Sequence, residues 1–135
     1  MTTSLTASTV AVRVLVVEDE ALVAMHITDI LNSAGFDVVG PCATVAEALS
    51  RLAQPSCCDA AILDAQLRNE SALPVAERLA KLDIRFIVAT GYNRGQLSGE
   101  LALAPIIAKP VDAQDLVRQL REITPGAGLE TSEGL

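Results

Sequence analysis

Aromatic side chains are almost missing: the 135 residues hold two Phe, one Tyr and no Trp. Phe36, Phe86 and Tyr92 cannot assemble a base-stacking platform or an aromatic peptide groove, so the core falls to Ala, Val, Leu and Ile. Positive charge is scarce too. Ten Lys and Arg face seventeen Asp and Glu, a net charge of -7, and the basic residues do not cluster. That sign opposes direct nucleic-acid binding or an anionic membrane surface, while a cationic cofactor or a basic partner face is compatible with it. The three cysteines, Cys42, Cys57 and Cys58, are odd in number with two adjacent, which argues against an intramolecular disulfide framework and fits a reducing compartment. With no CxxC spacing, they read as small buried thiols. No apolar run is long enough to span a membrane, and the opening MTTSLTASTVAV lacks the cationic region of a signal peptide, so a cytoplasmic location without membrane insertion is expected.

What is present is apolar bulk. Half of the residues are hydrophobic and 20% are charged, enough to offset backbone ordering in one domain but not in two. Five short apolar runs read as strands: 13–17, 36–39, 60–63, 86–89 and 106–108. They are continuous rather than alternating, as when helices cover both faces of a parallel sheet. Between them, Val23, Ile27, Ile30, Leu31 and Ala34 form a helical stripe stopped by Gly35. Thr44 caps a second helix carrying Val45, Ala48, Leu49 and Leu52. A third begins near Pro74 with Val75, Leu79 and Leu82 on one side, and Asp112 caps a last one with Leu116, Val117, Leu120 and Ile123. Residues 93–103, with two glycines, predict a short or mobile fourth segment. The domain is expected over 12–123, with 1–11 and 124–135 as flexible extensions. Alternating units of this kind predict an α/β flavodoxin-like fold: a doubly wound five-stranded parallel sheet of order 2-1-3-4-5 with helices on both faces.

In such sheets ligands bind beyond the carboxyl ends of the strands. The residues there are Glu18-Asp19-Glu20, Asp64, Thr90 and Lys109-Pro110. Glu18, Asp19 and Asp64 brought together would repel or protonate unless a cation stands among them. Lys109 supplies one charge, and the all-oxygen donor set favours Mg2+ for the rest. Asp64, at a rigid strand terminus, is then a competent nucleophile toward phosphorus, with the Thr90 hydroxyl able to donate to a phosphoryl oxygen. Taken singly, Thr90 is a plain loop hydroxyl, Lys109 a solvated lysine and Asp19 a helix cap; jointly they favour a site. Glu20 reads as a first-turn helix carboxylate, and His26, without ligand neighbours, is assigned no chemistry.

The segments VLVVEDE, AAILDAQL, FIVATGY and IIAKP, in this order over roughly 13–123, resemble a bacterial two-component response-regulator receiver domain. The resemblance implies phosphoryl transfer to Asp64 from a histidine kinase or histidine phosphotransferase, then slow self-catalysed hydrolysis. It implies a signalling phosphoacceptor rather than an enzyme. Asp19 would bind Mg2+ directly, Glu18 directly or through water, and Gln66 would offer its backbone carbonyl to the metal. Thr90 and Lys109 would hold the phosphoryl group, and Pro110 would follow a cis peptide. The stretch from Phe86 to Tyr92 also looks like the Phe-x-x-x-Thr-Gly-Tyr variant receivers, several of which serve general stress responses with HWE-type kinases; Pro74-Val75-Ala76 recurs in that group.

One departure concerns the switch. Receivers commonly carry an aromatic three residues before the lysine, where this chain has Ile106, so Tyr92 or the fourth helical segment is expected to report phosphorylation alongside Thr90. Output would run through an unknown downstream protein, and a homodimer through the fourth and fifth helical faces is compatible with the family. The alternatives are a phosphate sink and a receiver-like adaptor that is never phosphorylated. More remote is an aspartyl-phosphate phosphohydrolase of haloacid-dehalogenase type, whose DxD signature Asp19-Glu20-Ala21 does not match.

Overall fold

The computed structural model of the chain describes residues 11–91 and 94–124. A five-stranded parallel sheet forms the middle layer, from β1 (Arg13–Val17), β2 (Asp37–Cys42), β3 (Ala60–Asp64), β6 (Arg85–Thr90) and β7 (Ile106–Ala108). Their spatial order is β2-β1-β3-β6-β7, the expected 2-1-3-4-5 winding when only these sheet strands are counted. Helices α1 (Ala21–Ser33), α2 (Val45–Leu52), α3 (Leu73–Lys81), α4 (Glu100–Leu103) and α5 (Ala113–Ile123) cover it.

Alternate strand residues face opposite layers. Leu15, Val17, Leu63 and Val88 join the inner sides of α2 and α3 in one core, while Val14, Val16, Ile62 and Ile87 join α1 and α5 in the other. Both faces are therefore dry, which explains the continuous apolar strands. Each fully buried leucine, such as Leu63, Leu79 or Leu120, contributes about 2 kcal/mol on leaving water.

Helix ends follow the sequence closely. Gly35, at φ +91°, ends α1 as Phe36 N–H bonds to Leu31 O at 3.0 Å and Gly35 N–H to Asn32 O at 3.2 Å, a Schellman arrangement. Thr44 Oγ1 accepts from Glu47 N–H at 3.1 Å, and Asp112 from Asp115 N–H at 2.9 Å.

Two expectations need correction, and one loop holds an element that the sequence did not announce. Strand β2 runs on to Cys42 rather than stopping at Val39: its register with β1 slips between Leu15 and Val17, and Gly40 and Pro41 fill the irregularity. Leu82 lies past the end of α3 and is 44% exposed, while Ala76 is buried in its stead. The loop after β3 is a hairpin, with β4 (Gln66–Leu67) antiparallel to β5 (Glu70–Ser71). The segment between β6 and β7 is short as expected, with one 3-10 turn at Arg94–Gln96 and the single turn of α4. Tyr92 and nearly all of the two terminal extensions lie outside the described residues.

Candidate functional site

The carboxyl ends of β1, β3 and β6 and the start of the loop after β7 meet at one point. Asp64 closes β3 and pairs in register with Ala89; one rung on, Thr90 pairs with Ala108, and Lys109 follows directly. Lys109 N–H donates to Thr90 O at 3.3 Å, and the Lys109–Pro110 peptide is cis, as the resemblance implied. Sheet register thus brings the Asp64 and Thr90 residues to adjacent rungs, with Lys109 one residue past β7.

Lys109 Nζ lies 2.9 Å from Glu18 Oε1 and 3.0 Å from Asp64 Oδ2. Glu18 is 3% exposed, and its Oε2 accepts from Glu20 N–H at 3.1 Å. Burial pushes the Glu18 carboxyl above its ordinary pKa, with the Lys109 and Glu20 contacts opposing the rise. For Lys109, burial works against the charge, yet Glu18 and Asp64 outweigh it and hold the ammonium above its usual range. Asp19 Oδ2 accepts from Arg68 N–H at 2.9 Å, and Asp64 Oδ1 from Gln66 N–H at 3.3 Å. Ligand oxygens of Glu18, Asp19 and Asp64 all lie within 4.8 Å of one another.

This donor set fits a hard divalent cation. Three carboxylates against one lysine leave two negative charges, and buried Glu18 Oε1 has no aligned hydrogen bond, Lys109 approaching it outside hydrogen-bond alignment. All donors are oxygen, the preference of Mg2+.

A cleft of about 290 Å3 opens over the carboxylates, lined by Asp19, Glu20, Asp64, Gln66, Arg68, Thr90 and Gly91. A larger groove of about 900 Å3 runs between α1 and α5, but none of the strand-end acids lines it. His26, assigned no chemistry from the sequence, lines that groove, with its Nε2 3.1 Å from Val111 O. Ile106 sits half-buried in β7, away from the cleft lining. Arg68 was not singled out from the sequence. Residues 65–71, AQLRNES, contain no proline, which leaves this loop able to fold as a hairpin.

The sequence pattern of the response regulator receiver domain matches residues 14–121. This chain belongs to that family. Receivers are the phosphoacceptor modules of two-component signalling: they meet histidine kinases or phosphotransferases and downstream proteins, and they generally bind Mg2+ through an acidic pocket such as that of Glu18, Asp19 and Asp64.

Among solved structures, this receiver is similar to SdrG from Sphingomonas melonis Fr1, with 37% identity, a TM-score of 0.74, and coverage of 84% of this chain and 97% of that one. The BeF3-activated conformation of SdrG from Pseudomonas melonis Fr1 shares 38% identity at a TM-score of 0.69, covering 82% of this chain and 94% of that one. The transcriptional regulatory protein PdtaR of Mycobacterium tuberculosis is 29% identical over 125 residues, covering 83% of this chain and 60% of PdtaR. The chain therefore spans about 60% of the length of the curated relative it matches. Among the described residues, no helix is long and apolar enough to cross a membrane.

Proposed function

We propose that Asp64 is the phosphoacceptor of this receiver and that its phosphorylation changes the affinity of the 12–123 domain for a protein partner. The observation that carries this reading is Asp64 Oδ2 held 3.0 Å from Lys109 Nζ at the floor of an acidic cleft. The similarity to a relative with a BeF3-activated conformation supports it.

In the step itself, an Asp64 carboxylate oxygen attacks phosphorus and forms the acyl-phosphate O–P bond. The bond from phosphorus to the donor imidazole nitrogen, or to the carboxyl oxygen of acetyl phosphate, breaks, and its electron pair leaves with the donor. Lys109 holds the Asp64 carboxylate oriented beforehand, and its ammonium then serves the phosphoryl oxygens. Thr90 presents its hydroxyl from the neighbouring rung. Glu18, Asp19, Asp64 and the Gln66 carbonyl would hold Mg2+, which when bound supplies charge neutralisation for the transferring group. An HWE-type histidine kinase is the proposed donor, and stress signalling the proposed setting.

Incubation with Mg2+ and acetyl phosphate followed by intact mass measurement tests this. The wild type should gain one phosphoryl adduct, Asp64→Asn none, and Asp19→Asn markedly less. An unlabelled wild type, or an Asp64→Asn variant labelled to the same extent, overturns the proposal.

A further inference from the structure

We propose that Arg68 is a second cationic ligand of the phosphoryl group on Asp64, acting together with Lys109; the inference rests on the phosphoacceptor reading above. Arg68 is at the tip of the β4–β5 hairpin, in the two-residue loop joining the paired Leu67 and Glu70. Its N–H bond to Asp19 Oδ2, at 2.9 Å, moors that tip to the rim of the acidic site. The residue lines the cleft together with Asp19, Asp64 and Thr90.

Two features mark the side chain. Its backbone φ is +54°, in the left-handed region and at a loop position where hairpins favour glycine. The backbone itself gives no reason for an arginine at this φ, which points to the guanidinium. Among the described residues Arg68 also forms no ion pair, the site's own acids being bridged by Lys109. The guanidinium is therefore uncommitted before transfer.

Charge bookkeeping gives it a task. A divalent cation cancels the two negative charges that Lys109 leaves on the three carboxylates. Transfer consumes the Asp64 charge and brings about two negative charges on the phosphoryl oxygens, leaving a surplus of one. One arginine balances it, and a planar guanidinium matches two phosphoryl oxygens better than an ammonium does. Before transfer, the same positive charge opposes the metal.

The two roles separate in one experiment. Arg68→Gly keeps the N–H donor to Asp19 and suits the positive φ, so it removes only the guanidinium; Arg68→Lys keeps charge and loses the fork. By NMR titration, affinity for Mg2+ alone and for beryllofluoride at saturating Mg2+ are measured in each. Arg68→Gly should bind beryllofluoride about five- to tenfold more weakly while binding Mg2+ alone as tightly as wild type or slightly more so, with Arg68→Lys between. Unchanged beryllofluoride affinity in Arg68→Gly overturns the inference and leaves the phosphoacceptor reading standing. An equal loss of Mg2+ affinity overturns it too, since Arg68 would then act only through Asp19. A wild type that takes up no beryllofluoride overturns both.

Discussion

Replacing Glu18 by glutamine should make the metal-free protein more stable. Glu18 is 3% exposed, and burial lifts its pKa despite Lys109 at 2.9 Å, so the ionised carboxylate is a net cost to the fold at neutral pH. Its removal strands no partner, because Lys109 retains Asp64 at 3.0 Å and the glutamine oxygen can still accept from Glu20 N–H. Because Lys109 keeps a carboxylate partner, the substitution relieves the desolvation of one buried charge without stranding the other, a gain of about 1 kcal/mol, or roughly 3–6 °C in Tm. The sign with pH follows from the raised pKa. Wild type regains the lost stability as pH falls through the folded value, and the gap between the two proteins closes below 4.5, where the carboxyl becomes neutral in the unfolded chain as well. Magnesium reverses the comparison: at one hundred times its Kd it adds about 2.7 kcal/mol to wild type, and a tenfold weaker site gains only about 1.4 kcal/mol. Thermal unfolding in EDTA and in Mg2+, at neutral pH and below pH 4.5, checks each arm. A lower Tm for Glu18→Gln in EDTA at neutral pH, or an undiminished Mg2+ response, refutes the reasoning.

Cys58 provides a second pH-dependent test. Burial pushes its thiol from 9.0 up to about 12, so native alkylation by iodoacetamide at pH 8 should run about 1,000-fold slower than for a free thiol and recover on denaturation, as peptide mapping would show. The stability associated with the neutral thiol is complete below 9.0 and is lost as pH climbs through about 12; rapid native labelling contradicts this. Gly40→Ala would place a Cβ 2.9 Å from Cys42 N and 3.0 Å from Val16 O at φ +98°, and denaturant unfolding should show a loss of about 2–4 kcal/mol. A loss below about 0.5 kcal/mol would mean that the backbone there yields freely.

The winding of the fold was legible because both of its signals are local: continuous apolar strands and stripes at helical spacing. Thr44, Asp112 and Gly35 act on groups only a few residues away, so capping chemistry alone placed them. Leu82 failed because Asp83 takes a positive φ of 60° and the chain leaves α3 one residue earlier than the stripe suggests. The extension of β2 depends on Gly40 and Pro41 being accommodated against β1, a pairing that β2's own residues do not announce. At the site, the meeting of Glu18, Asp19, Asp64 and Lys109 followed from their common place at strand ends. The part of Arg68 did not, since its position depends on a two-rung hairpin and one bond to Asp19, neither of which has a periodic signature.

The outer strands of the sheet bear on how such a molecule keeps to reversible partnerships. One rim, β7, is three residues long; the other, β2, carries a proline that has no N–H to offer a newcomer. Neither presents the long unbroken row of donors and acceptors on which a foreign strand could accrete. A signalling module of high apolar content is thereby guarded against stacking edge to edge, and its surface helices and loops are left as the places for transient contact.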